Sequence, residues 1–154
     1  MAYVLYKIYS GSTLVYLGRT KQKLQDRLRG HFFAKPMHKK VDIFQTTKIE
    51  CAEFKTEADM FLYEIYYINK LKPVRNRDDR ARDELTVSLP EVNFKTFYCP
   101  LMDKWKRQIA KQEKQDAERR DEKIKCFNKM RDARRNGDKE EYSKLKEFYD
   151  EAFL

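Results

Sequence analysis

The chain has little of what staples or spans small folds. Its 154 residues include three cysteines, two histidines, four glycines and four prolines. Cys51, Cys99 and Cys126 are odd in number and far apart, no Cys-x-x-Cys occurs, and His31 and His38 are the only histidines. That pattern argues against a disulfide framework and a structural zinc site, and each thiol reads as buried or idle. No stretch approaches the roughly 20 uncharged apolar residues that cross a bilayer. Met1-Ala2-Tyr3-Val4-Leu5-Tyr6-Lys7 lacks the basic start and long apolar run of a signal peptide. Repeats and low-complexity segments are missing as well. These absences predict a soluble intracellular protein, cytoplasmic or nucleoid/nuclear, with no membrane partner.

What the chain does have is charge. Charged residues make up 38% of it against 41% hydrophobic, and 34 Lys+Arg face 25 Asp+Glu for a net +9. The apolar fraction suffices for a core, so disorder throughout is not expected. A basic excess suggests a polyanion partner, most often nucleic acid, but is equally compatible with a merely soluble basic surface. The excess is uneven. Residues 1–100 hold 18 Lys+Arg and 12 Asp+Glu, whereas residues 101–154 hold 16 and 13 at higher charge density and almost without β-branched residues. The shift predicts a compact domain over residues 1–77, a charged linker over 78–99 and a helical arm over 100–154. The mixed-charge run from Arg77 to Glu84 reads as a solvated connector.

Tyr3 to Tyr9 and Leu14 to Leu17 are β-branched and aromatic, and Ser10-Gly11-Ser12-Thr13 between them predicts a hairpin turn. Leu24, Leu28 and Phe32 recur every four residues, marking a helix from Lys23 to Phe33 that Pro36 stops. Thr46 to Phe54 reads as a third strand. Thr56, followed by Glu57-Ala58-Asp59, predicts an N-cap and an acidic first turn. The helix would run through Phe61, Leu62, Ile65, Ile68 and Leu71, closed by Pro73. The order β-β-α-β-α predicts an α+β fold with one small three-stranded mixed or antiparallel sheet flanked by helices.

Beyond the linker, Glu84 to Leu89 reads as a further short strand. Pro100 precedes a helical pattern from Leu101 to about Arg135 whose apolar residues thin between Ile109 and Ile124, so its middle is expected to be solvent-exposed. Asn136-Gly137-Asp138 is a helix stop followed by an N-cap. Tyr142, Leu145, Phe148, Tyr149 and Ala152 mark a second helix that can fold back on Ile124, Phe127 and Met130 as a helical hairpin.

Particular side chains on this frame carry more information. Val4-Leu5-Tyr6 and Tyr16-Leu17-Gly18, with nine residues between the two tyrosines, place them on adjacent strands. Arg27 lies nine residues after Gly18, with His31 one turn later on the same helix face, and Pro73 and Asn76 follow Glu64 by nine and twelve residues. Over roughly residues 3–76 this resembles the GIY-YIG nuclease family. The departures are Val4 and Leu5 for the first motif's Gly and Ile, Leu17 for the second Ile, and one extra residue between Gly18 and Arg27. Apolar swaps at such strand positions are tolerated. Val in place of Gly means that nothing can approach that backbone closely. None of the departures removes a residue that carries chemistry.

The resemblance implies a DNA endonuclease that hydrolyses phosphodiester bonds on double-stranded or branched DNA. It implies one divalent ion per site, Mg²⁺ or Mn²⁺, with Glu64 as its sole protein ligand. A hard oxygen ligand plus retained waters suits Mg²⁺. Tyr6 would be the general base, as a phenolate or through a hydrogen bond to the attacking water. Its ordinary pKa near 10 requires neighbouring positive charge, which Arg27 can supply while pairing with phosphate oxygens. Tyr16 and His31 would position water and phosphate. Asn76 would order the end of the helix carrying Glu64 or contact the phosphate.

Singly, each residue has an ordinary reading too: packing tyrosines, solvated arginines, a satisfied core histidine, a turn-ending asparagine. Their joint spacing is what lifts them. Arg19, Lys21, Lys23, Arg29, Lys39 and Lys40 flank the set and can form a phosphate-contacting rim or a plain solvated surface. The arm reads as a solvent-bridging brace, a DNA-backbone clamp, or a homodimerisation hairpin using Trp105, Phe127 and Phe153. Two rivals to the nuclease reading stay open: a catalytically inactive nucleic-acid-binding protein on the same scaffold, and a protein-interaction module.

Overall fold

The computed structural model describes residues 2–154. The chain runs β1 (Tyr3–Ser10), β2 (Thr13–Thr20), α1 (Leu24–Phe32), β3 (Lys48–Phe54), α2 (Glu57–Leu71), β4 (Lys95–Thr96), α3 (Met102–Asn136) and α4 (Lys139–Phe153), with single 3-10 turns at Pro36–His38 and Arg77–Asp79. The fold is α+β, and the sheet has four strands rather than three, ordered β2-β1-β3-β4 and antiparallel throughout. The extra strand is Lys95–Thr96, not the expected Glu84 to Leu89, which forms no strand.

Gly11 allows the tight β1–β2 connection, with φ at +60°. Central β1 is covered on both faces, so Val4 through Ile8 are all buried and the strand reads as a continuous run rather than an alternation. Register sets the two faces apart. Tyr6 pairs with Gly18 and Ile8 with Tyr16, which puts both motif tyrosines on one face. Leu5 and Leu17 lie on the other, packed with Tyr66, Tyr67 and Ile68 of α2.

Thr56 caps α2 as expected, accepting from the Asp59 N–H at 3.1 Å. The helix ends on Lys72 in the left-handed region, φ 48°, just before Pro73. The chain then lies along the free edge of β2, where the N–H groups of Val74 and Arg75 donate to Leu14 O (3.3 Å) and Val15 O (2.8 Å).

Residues 78–99 are not a free connector. The Ala81 N–H donates to Asn69 Oδ1 (2.7 Å), Tyr63 Oη donates to Pro90 O (2.9 Å), and the Val92 N–H donates to Tyr67 Oη (3.0 Å). Leu89, Val92 and Phe94 pack on the α2 core before β4 pairs with β3. This strap completes the apolar face that 1–77 alone leaves open, and the first compact unit extends to Lys106. Trp105, near the start of α3, is buried with its ring 6.2 Å from Phe32 and 6.4 Å from Phe33.

The second unit, residues 107–154, is a helical hairpin. Gly137 turns the chain at φ +75°, and Asp138 caps α4 by accepting from the Glu141 N–H at 2.9 Å. The middle of α3, residues 110–122, is exposed throughout, as its thin apolar pattern predicted. The seam differs from expectation. Ile124 and Phe127 are more than half exposed, while Cys126 and Ala133 are buried. Arg119 reaches Ala152 O at 3.1 Å, Lys123 lies over the Tyr149 ring, and Cys126 Sγ sits 3.8 Å from Leu145 O. The inward positions thus step by three and four residues, the spacing of a two-helix seam, and hydrophobicity alone picked the neighbouring stripe. Among the described residues no helix is long and apolar enough to cross a membrane.

Candidate active site

The tyrosine face of the hairpin meets α1. Tyr6 Oη lies 2.6 Å from His31 Nε2, and Arg27 Nε donates to the same oxygen at 3.2 Å. Because Arg27 already fills a lone pair there, the phenol proton is the one available to satisfy the short contact to His31. Tyr16 completes the group, its ring centroid 6.1 Å from Tyr6 and 4.9 Å from His31. Arg27 and His31 converge because four residues of helix return a side chain to the same face. Arg29 falls on another face, its guanidinium 5.5 Å from the centre of the Phe33 ring.

Gly18 is the floor of this group. A Cβ there would stand 2.6 Å from Tyr16 Cε1 and 2.7 Å from Tyr6 Oη. The glycine of the second motif is therefore required by the two rings that cross its backbone, not by its dihedral angles.

Burial decides the protonation states. Desolvation, and next the neighbouring Tyr16, push the Tyr6 phenol well above its ordinary range, and Arg27 pulls the other way without prevailing. Of the two forms expected of Tyr6, a phenolate or a phenol bonded to the attacking water, burial favours the neutral phenol despite Arg27, and the residue is fully covered. His31 is pushed down to about 4 by burial and then by the positive charges of Arg27 and Lys40, so at neutral pH it is an uncharged proton acceptor.

Glu64 is hydrogen-bonded to Arg19 rather than to the Tyr6–His31 pair. Its Oε2 accepts from Arg19 at 2.6 Å, and the Arg19 guanidinium also lies 3.8 Å from the centre of the Phe61 ring. Burial raises the Glu64 carboxyl, Arg19 opposes this, and the charge of Asp79 adds to it. Arg27 also lowers it, which puts Glu64 within electrostatic reach of the tyrosine group. Arg19 and Phe61 line an open cleft of about 420 Å³ together with Arg27 and Lys21.

Asn76 is structural. It is buried, its Nδ2 donates to Leu17 O and its Oδ1 accepts from the Leu17 N–H, both at 2.9 Å. The side-chain amide thus stands in for the peptide group of one more strand on the edge of β2. Both functions are engaged on β2, which favours an ordering role for Asn76, one of the two expected, over a phosphate contact. Of the basic rim, Arg19 and Lys21 are spent on Glu64 and Glu57 (2.6 and 2.8 Å). Lys23 is exposed at the start of α1, and Lys40 stands 6.0 Å from the Tyr16 ring centre. Lys39 and Lys40 line a separate pocket that also holds Arg75, a residue sequence reasoning passed over although it adjoins Asn76.

Comparison of the chain with protein-family models, curated proteins and solved structures gives no match. The resemblance therefore stands on the residues themselves.

Proposed function

We propose that the first unit is a metal-dependent DNA endonuclease of the GIY-YIG type. The observation that carries this reading is the meeting of Tyr6, Tyr16, Arg27 and His31 over a bare Gly18, with the Tyr6–His31 contact at 2.6 Å. Strand tyrosines placed for packing do not need an arginine and a neutral histidine on one phenol oxygen.

No group of three or more His, Cys, Asp or Glu side chains among the described residues is arranged to hold a metal. What is present is a single half-buried carboxylate already holding a cationic group, which fits a hard ion that keeps most of its waters. Glu64 would hold Mg²⁺ or Mn²⁺ after Arg19 is displaced. Bound there, the ion would relieve charge on the phosphoryl oxygens and the leaving 3′ oxygen.

The protein's own groups divide the remaining work. Arg27, the exposed member of the cluster, is drawn to the phosphate, where a guanidinium pairs bidentately. Its departure frees the Tyr6 oxygen for water. As the water oxygen bonds to phosphorus and the bond to the 3′ oxygen breaks, the water proton passes to Tyr6 and the Tyr6 proton to His31 Nε2, while the 3′ oxygen leaves with the bonding pair as an alkoxide and takes its proton from solvent. This relay avoids a free phenolate, which burial disfavours.

Two observations favour a second reading, a binding protein without cleavage: Glu64 is neutralised by Arg19, and Tyr6 is covered. The deciding experiment incubates the purified protein with plasmid, branched and single-stranded DNA in Mg²⁺ or Mn²⁺ beside Glu64→Ala. Cutting by wild type alone supports the nuclease. Cutting by both or by neither overturns it, and salt-sensitive binding without cutting would establish the second reading.

A further inference from the structure

The pocket between the hairpin tip and the loop after α1 is lined by Ser10, Val15, Lys39, Lys40, Gln45 and Arg75, among others, and encloses about 240 Å³. It has a structural reason to exist. Hydrogen bonding of the Arg75 N–H to Val15 O pins residue 75 on the β2 edge, while the Thr46 hydroxyl donates to Asp42 O at 2.8 Å and folds the opposite wall. Three cations thus converge from two segments 35 residues apart in sequence.

Their charge is in excess, three cations against the single carboxylate of Asp42. No ion pair among the described residues uses Lys39, Lys40 or Arg75. Asp42 is the one acid in the lining, and its Oδ1 is occupied by the Phe44 N–H at 3.0 Å. Arg19 and Lys21, by contrast, line a cleft in which each already has a carboxylate partner. Like charges gathered in a concavity repel one another and concentrate field on whatever anion enters. The pocket also adjoins the tyrosine cluster, since Lys40 lines it, stands over Tyr16 and lowers the His31 pKa.

We infer that this pocket is a second phosphate subsite, holding a backbone phosphodiester of the DNA strand beside the one that is cut. The inference rests on the nuclease reading and adds to it an anchor that sets where along the strand the scissile phosphate falls. Lys39 and Arg75 grip the phosphate, and Gln45 and Ser10 offer uncharged donors. Lys40 bridges the two sites.

Binding of a defined duplex is measured in EDTA, where metal-dependent cutting is suppressed, as a function of salt for wild type, Lys39→Gln, Arg75→Gln and Arg75→Lys. Lys55→Gln serves as the control for a lost surface charge, because Lys55 follows Phe54, which pairs with Tyr3 at the other end of the sheet. Each glutamine variant in the pocket is expected to lower the slope of log K against log salt by about 0.9 and to bind roughly eightfold more weakly at about 0.1 M salt. Arg75→Lys and Lys55→Gln are expected to keep the slope, and thermal melting checks that all variants fold.

Equal losses at Lys55 overturn the subsite in favour of a diffuse basic surface. Unchanged slopes at Lys39 and Arg75, with wild type binding normally, overturn it while leaving the nuclease reading intact. Titration with inorganic phosphate separates a strand phosphate from a small anion: saturable binding lost in Arg75→Gln, with the DNA slope unaffected, also overturns it. If wild type itself shows no salt-dependent binding, both the nuclease reading and this subsite fail together.

Discussion

The molecule carries two aromatic clusters on opposite faces of one hairpin, built from the same residue type. On the α2 face, Tyr63, Tyr66 and Tyr67 pack against one another with ring centroids 5.3 to 6.3 Å apart, joined by Phe54 and Phe94. The Tyr63 and Tyr67 hydroxyls are turned to backbone, Tyr63 donating to Pro90 O and Tyr67 accepting from the Val92 N–H. Lys7 on that face makes no ion pair within 4 Å among the described residues, and its ammonium lies 3.6 Å from the Phe94 ring centre, with Glu50 opposite it on β3. On the α1 face, Tyr6 turns its hydroxyl to His31 and Arg27. The rings on both faces supply core volume, so residue type does not separate them. The partner of the hydroxyl does.

The sharpest way to break this contrast is to remove one hydroxyl from each face. Tyr6→Phe is expected to cut DNA about 10²- to 10⁴-fold more slowly, the usual worth of a positioned proton-transfer group. Tyr67→Phe is expected to cut normally and to lose about 1 kcal/mol in urea unfolding, because the Val92 N–H loses its acceptor. Equal cutting by both variants would erase the distinction.

Asn76→Ala should cost about 2–4 kcal/mol, since the Leu17 N–H and C=O both lose their partner on the buried edge. Asn76→Asp keeps the acceptor but sets a buried carboxylate against Leu17 O and beside Asp79, so it should cost at least as much as the alanine variant in the same urea series. Gly18→Ala is expected to cost about 1–3 kcal/mol by forcing the Tyr6 and Tyr16 rings apart. A neutral result at Gly18 would mean that the two rings are not held where they stand.

His31 supplies a pH test of the α1 face alone. Its pKa is about 4 in the folded chain against an ordinary 6.5, so between those values the unfolded chain binds the extra proton. Stability should therefore rise with pH from about 4 to 6.5 and be fully present above that window. His31→Gln should flatten that slope in melts run across the window. The smallest effect lies on the α2 side, where Thr56→Ala should cost about 1 kcal/mol by uncapping the helix.

Much of this was legible in the residues. Four-residue spacing located α1, the Thr56 cap located the start of α2, and Gly137-Asp138 located the break between α3 and α4. β4 was missed because a two-residue strand has no periodicity, and the strap around it looked like a charged connector. The α3 seam was misplaced by one stripe because Cys126 and Ala133 bury well while being less hydrophobic than the exposed Ile124 and Phe127. Within the site, spacing assembled Tyr6, Tyr16, Arg27 and His31, but it missed that Arg19 closes on Glu64 and that Asn76 serves β2.

Local order is what the sequence determined by itself: where helices begin and stop, which residues turn the hairpin, and which side chains share a face. Those depend on neighbours within a few positions and on the periods of helix and strand. Only the tertiary structure decided which charges are spent. Whether Arg19 or Arg75 is free to meet a phosphate depends on the carboxylates that folding brings near it. Whether Tyr6 can ionise depends on how completely other elements exclude water from it. Burial and pairing are set by residues remote in the chain, so no local pattern carries them.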